Sequence, residues 1–515
     1  MAGGIQMSQS LTLLFLILTT SGLIIGCGPL GTENNRSEVD NGASIAPQPA
    51  SNQVAVTDLF GRPLPGAEIL FGSSAGVPFS ANILKTDASG LVVWPTGWKQ
   101  ELPITITAPG FVRATYLSRA PGSYTFPLRP ARSVAGIGLA GKTTGFGRLV
   151  SNGVLDISLV FAAIPRATLG SLELTALIGN GVDKVSVYGQ QLELPNNLSV
   201  PAQTETYFGI IPVSLDKLTY QISVPAVGVY RLAAVRAQFD FKKTVDDLRA
   251  GSSFFDIINR FQFKSYATRD LSLTLPFQTA DLPSDENKLQ PKLSVMAQGL
   301  PSGYAMLATA AIENQGLCVV TDVKRLLENE KRNLMIPDFS QFNSGSGVLL
   351  RSIKRYQPSR TDFSGSDFEE MSSIVTSFGA GGLQGQAPTS FYPILKPIAT
   401  TARSLVFSAP GGALGGTHGI VEEQTNVTLS KVTLVSSGTL WLVDKTPIWD
   451  FYGPGQIGRI DIPTMGNDPW LQSGRYRWEL LYAGRQAGGA SLPLGPGWNA
   501  SGTHFVKTAT DFQVP

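Results

Sequence analysis

Thiols and imidazoles are almost missing from this chain: its 515 residues include only Cys27 and Cys318, His418 and His504. A closed zinc site needs four ligands in one place, so no metal site is expected. The two histidines lie 86 positions apart in loop-like sequence, and a Ser-His-Asp site would have to assemble from distant loops. They are expected as exposed loop residues. Charge is also scarce, at 15% of residues against the usual ~25%. The 40 basic and 38 acidic side chains are dispersed and leave a formal charge of +2, so no electrostatic footprint for nucleic acid is present. A fixed-period internal repeat is absent too.

What is abundant is glycine, 55 residues, and proline, 34, beside 43% hydrophobic residues. That balance suits turn-rich β structure with real cores rather than helical bundles or disorder. The expected fold class is mainly β, with tandem Ig-like β-sandwich domains and a few short helices. A chain this long exceeds one hydrophobic core.

The N-terminus carries the sharpest chemistry. Met1 to Thr32 contains no charged side chain, and Leu11 to Ile25 is an apolar run of signal-peptide length ending in Ile24-Ile25-Gly26-Cys27. This ending resembles the lipobox of bacterial lipoprotein precursors. The resemblance implies cleavage between Gly26 and Cys27, with Gly26 leaving room for the peptidase, and acylation of the Cys27 sulfur. Two or three acyl chains meet the two-signal requirement for stable anchoring, each buried CH₂ contributing about 0.8 kcal/mol. The first ten residues lack the Lys or Arg usual in a leader, and the rival reading keeps the segment as an uncleaved membrane helix. Gly28 follows the cysteine where inner-membrane retention would use aspartate, which implies the outer membrane. Residues 1–26 are thus read as signal peptide and 27–53, rich in Gly, Asn, Ser and Pro, as a flexible tether.

Residues 54–130 form the most readable unit. Turn residues Asp58, Gly61, Gly90 and Gly110 fall between short β-prone runs. The pattern resembles the carboxypeptidase regulatory-like domain, a transthyretin-like Ig sandwich, which implies a folding unit or spacer. Residues 131–288 are expected as a second sandwich, with strands at Val154 to Ala163, Leu172 to Leu177, Val185 to Tyr188 and Leu218 to Val224, and a helix between Thr244 and Phe263 in which Gly251 is a point of division. In 289–399, a strand pair at Leu293 to Ala297 and Tyr304 to Glu313 should precede a charged helix, Asp322 to Arg332, then Val348 to Lys354. Residues 400–515 read as a C-terminal fibronectin-like β-domain with Trp441, Trp449, Trp470 and Trp478, expected mainly as core.

Several motifs imitate chemistry. Gly136-Ile137-Gly138-Leu139-Ala140-Gly141-Lys142-Thr143 has P-loop spacing, but neither a preceding strand nor a following helix is supported, so it is read as a glycine-rich interdomain segment without nucleotide. Ser214-Leu215-Asp216-Lys217 has Ser-x-x-Lys spacing without its partner motifs. Asp281, Asp285 and Glu286, or Asp367, Glu369 and Glu370, lack EF-hand spacing and are read as solvated loops. Cys318, among Leu317, Val319 and Val320, is expected to be a buried hydrophobe. The expectation is a lipid-anchored, non-enzymatic envelope protein without cofactor, contacting membrane lipid through Cys27 and an unidentified protein or carbohydrate. Its rival is an exported hydrolase, or a carbohydrate-binding protein, acting on envelope polymers.

Overall fold

In the computed structural model, the described residues are 49–58, 61–129, 131, 137–146, 154–170, 182–187, 190–201, 206–208, 211–213, 217–224, 228–240, 243–244, 247, 258–338, 346–356, 371–379, 391, 397–400, 404–407, 427–437, 445–454, 459–465, 473–484 and 504–514. The protein is mainly β, with several sheets in a sandwich, Ig-like architecture and no helix of seven or more residues among them. Two compact units organise the chain. One takes its described residues from 137–391, the other from 49–131 and 397–514.

The discontinuous unit is built on the first readable segment. Gln53–Asp58 lies between Leu91–Val93, antiparallel, and Tyr124–Leu128, parallel. A second sheet runs Ile83–Lys85, Glu68–Phe71, Leu102–Thr107, Arg113–Arg119. Apolar residues of both sheets, among them Val54, Val56, Phe126, Ile69, Ile104 and Tyr116, are buried together with Trp98. The Phe71 and Trp98 rings meet at 5.4 Å and Tyr116 and Phe126 at 4.6 Å. Gly61, Gly90 and Gly110 hold positive φ of 79, 71 and 80°, as turn residues should. The Asp58 carboxylate closes the first turn by accepting from Arg62 N at 2.9 Å.

That second sheet does not end with the segment. Lys445–Pro454 pairs in parallel with Arg113–Arg119, followed by Val427–Ser437, Gly474–Gly484 and His504–Val514. Trp449 and Trp478 are fully buried, as core packing requires; Trp441 and Trp470 lie outside the described residues. The Trp449 indole donates to Thr115 Oγ1 at 2.8 Å, tying the C-terminal strands to the first segment.

Among its described residues the continuous unit shows two cores. In one, Leu139, Tyr220, Ile222 and Val224 pack against Val160, Leu232, Ala234 and Leu273. Thr219–Val224 shows the alternation the sequence predicts, exposed and buried in turn. In the other core, Leu293, Val295, Leu334 and Ile336 face Met306, Ala308, Leu349, Ile353 and Ile374. Val154–Ala162, Val182–Val187 and Ser346–Arg355 realise predicted strands; Leu172 to Leu177 lies outside the described residues.

Three expectations are corrected. The charged helix at Asp322 to Arg332 is instead the end of one strand, Leu317–Leu326, a turn, and the start of another, Lys331–Pro337. Its charges bind backbone rather than coat a helix. Asp322 accepts from Val323 N and Met335 N, Glu328 from Gly299 N and Leu300 N, and Glu330 from Leu327 N, while Asn329 turns with φ 62°. The helix at Thr244 to Phe263 does not extend through that segment: residues 243–244 and 247 are helical, but a 3-10 turn follows at Ile258–Arg260 and Gln262 begins a strand. Asp240 caps its start, accepting from Lys243 N at 2.9 Å. Finally, the strands at Leu293 and Tyr304 do not pair with each other. Asn287–Met296 pairs with Lys331–Pro337, whereas Tyr304–Asn314 pairs with Leu317–Leu326 and Ser346–Arg355, because the chain crosses to the other sheet of the second core between Met296 and Tyr304.

Candidate functional site

Gly26 and Cys27, the predicted cleavage and acylation positions, lie outside the described residues, as do His418, Ser214, Asp367, Glu369 and Glu370. The other thiol is fully placed. Cys318 is wholly buried at the start of its strand, paired with Ile164 and Glu313, and burial pushes its thiol up to about 12. A thiol that stays protonated and inaccessible is inert toward acylation or metal.

The P-loop-like segment is a strand, Ile137–Thr144, rather than the loop expected of an interdomain segment. Thr219–Val224 pairs along one side, and Phe277–Thr279 and Leu282–Pro283 along the other. Its amides therefore serve sheet ladders and cannot converge on a phosphate. The glycines have a packing reason: a Cβ at Gly141 would stand 1.7 Å from Ala280 O, and one at Gly138 2.7 Å from the Phe277 ring. Lys217 of the Ser-x-x-Lys motif is likewise structural. Its buried Nζ donates to the carbonyls of Leu198 and Thr219 at 2.6 and 3.0 Å and pairs with Asp183 at 2.8 Å. Burial, outweighing Asp183, lowers its proton affinity.

The carboxylates around residue 281 do not converge. Asp281 accepts from Lys142 N at 2.8 Å and Glu286 pairs with Arg269, so each is engaged separately. Among the described residues no group of three or more His, Cys, Asp or Glu is arranged to hold a metal. A motif not singled out from sequence, Gly72-Ser73-Ser74-Ala75-Gly76, has nucleophile-elbow spacing. It follows the strand Glu68–Phe71 but leads into turns, not a helix, and Ser74 instead bridges Val77 and Thr464.

A half-open cleft of about 180 Å³ lies in the continuous unit. Polar Arg231, Thr268, Asp270 and Asn314 line it together with Ile312, Leu317 and Val319. Two antiparallel strands place its charged pair: Arg231 of Gly228–Asp240 lies opposite Asp270 of Gln262–Leu273. The guanidinium forks onto that carboxylate, Nε and Nη2 each donating at 2.8 Å. This hydrogen bonding holds Asp270 below and Arg231 above their ordinary proton affinities. The cleft thus sets a fixed ion pair beside the apolar side chains of Ile312, Leu317 and Val319. None of these residues was legible as a site, since only the strand register brings them together.

No family model matches the chain. No curated protein matches it either. Among solved structures, it is similar to a mutant of Salmonella alpha-2-macroglobulin, with 10% identity and a TM-score of 0.11, and to native E. coli alpha-2-macroglobulin, with 11% and 0.12. Each alignment covers 92% of this chain but 30% of the other. The chain therefore spans about a third of the length of those proteins, and likeness at this level carries no argument about function.

Proposed function

We propose that this is a lipid-anchored protein of the cell envelope, held to a membrane by acyl chains on Cys27, whose β-sandwich units serve binding or structural roles. The observation that carries the reading is the division of labour between two thiols. Cys318 is buried, whereas Cys27 stands directly after an apolar run and a glycine, the sequence setting of an acylated thiol. On this reading residues 1–26 are removed, 27–53 form a tether, and residues 54–130 act as a spacer resembling carboxypeptidase regulatory-like domains. Gly28 favours the outer membrane. The β-sandwich framework supports the binding role, because paired sheets display rigid edges and loops.

Replacing Cys27 with Ser tests it. The variant should leave the membrane fraction and lose all incorporation of labelled palmitate; continued labelling would refute the assignment.

A further inference from the structure

The central sheet of the continuous unit ends unevenly. Gln262–Leu273 pairs along its length with Gly228–Asp240, but with Asn287–Met296 only at Ser265 and Tyr266. Among the described residues no strand covers the outer side of 268–273, and Arg269, Asp270 and Ser272 are exposed.

The register says which groups face outward. Ala163 N donates to Arg231 O at 2.8 Å, so the main chain of Arg231 is turned toward Val154–Ala162. Asp270, its cross-strand partner, then belongs to a non-hydrogen-bonded pair and directs its own N–H and C=O to the open side. Thr268 and Ser272, two residues before and after, do the same. Arg269 Nη1 occupies the Thr268 carbonyl at 3.1 Å, which leaves the main chains of Asp270 and Ser272 as the open rungs.

Two other edges among the described residues of this unit are guarded. The Asn259 side-chain amide accepts from Arg325 N at 2.7 Å and donates to Arg325 O at 2.9 Å, standing in for a neighbouring strand. Lys331–Pro337 ends in proline and exposes Lys331 and Arg332, features that discourage pairing. At the open edge, by contrast, Tyr266, Thr268 and Asp270 also line the cleft. Val229, opposite Ser272, is 73% exposed.

We propose that 268–273 accepts one extended segment of a partner polypeptide as an added strand, with an apolar side chain of that segment entering the cleft over Ile312, Leu317 and Val319. A sheet edge specifies a polypeptide because only a backbone repeats donor and acceptor at the spacing of Asp270 and Ser272, while the cleft selects one side chain. The inference rests on the envelope reading only for where the partner is met.

The test is phage selection of short random peptides on the purified full chain, followed by amide hydrogen exchange. Peptides with an apolar residue flanked by polar ones should be enriched, slow exchange at Asp270 and Ser272 by about tenfold or more, and lose binding to Ser272→Pro. Exchange in the unmodified chain guards against a misfolded variant: if both amides are already as protected as Ala267 without peptide, the edge is covered and the proposal fails. It fails equally if selected peptides bind the proline variant as well as the parent. A dimer that the same substitution abolishes would make the occupant a second copy and also overturn it. Because neither readout involves acylation, palmitate labelling fails or succeeds independently.

Discussion

Two aspartates, one in each unit, are buried to the same degree and held in opposite ways. Asp450 is 1% exposed and lies against the Arg129 guanidinium, whose Nε and Nη2 donate at 2.5 and 2.8 Å. Asp322 is wholly buried, accepts from Val323 N and Met335 N at 2.8 and 2.7 Å, and has only Lys324 Nζ as counter-charge, at 3.1 Å. Burial lowers the proton affinity of Arg129, yet Asp450 raises it further, so the pair is locked as ions. At Asp322 burial wins over Lys324 and the two amides, and the carboxyl is pushed up to about 6. The difference teaches that a bidentate cation can hold a buried charge where a single ammonium and two amides cannot.

The largest effect should come from breaking the locked pair. Arg129→Met strands the Asp450 carboxylate and should destabilise the protein by about 3–5 kcal/mol, read as a fall in Tm. The double variant Arg129→Met, Asp450→Leu should recover much of that loss; no recovery would mean the ion pair is not the cause.

Asp322 sharpens the contrast through pH. Its folded-state value lies above the ordinary 3.8, so between about pH 4 and 6 the folded protein binds more protons than the unfolded chain. Its contribution is therefore greatest below that window and lost as pH rises through it. The rise from 3.8 to about 6, at about 1.4 kcal/mol per tenfold change in proton affinity, corresponds to roughly 3 kcal/mol. Denaturant titrations across the window should show this decline in the parent chain and a flatter profile in Asp322→Asn. The smallest effect belongs to Asp270, bidentate like Asp450 but half-exposed. Asp270→Asn should cost no more than about 1 kcal/mol and less in high salt, because water screens the pair. A loss comparable to Arg129→Met would show that geometry alone, not burial, sets the energy.

Much of the fold was legible where one physical rule dominated. Alternation at Thr219–Val224, turn glycines at 61, 90 and 110, and aromatic burial at Trp449 and Trp478 each follow from local pattern. Reading failed where charge was taken for solvation. Asp322, Glu328 and Glu330 look like a helix face, but they hold backbone amides around a tight turn, a use that sequence spacing does not encode. Pairing was illegible as well, since Lys445–Pro454 meets Arg113–Arg119 across more than three hundred residues. The cleft shares this fate: Arg231 and Asp270 are 39 positions apart and only register makes them partners.

The side chain of Asn259 has a consequence for how copies of this protein behave when they are crowded together. By supplying one donor and one acceptor to Arg325, a single amide finishes a sheet that would otherwise invite a neighbour to continue it. Loss of that side chain would strip this cover from both main-chain groups of Arg325 and leave bare a stretch of edge of the kind along which chains aggregate.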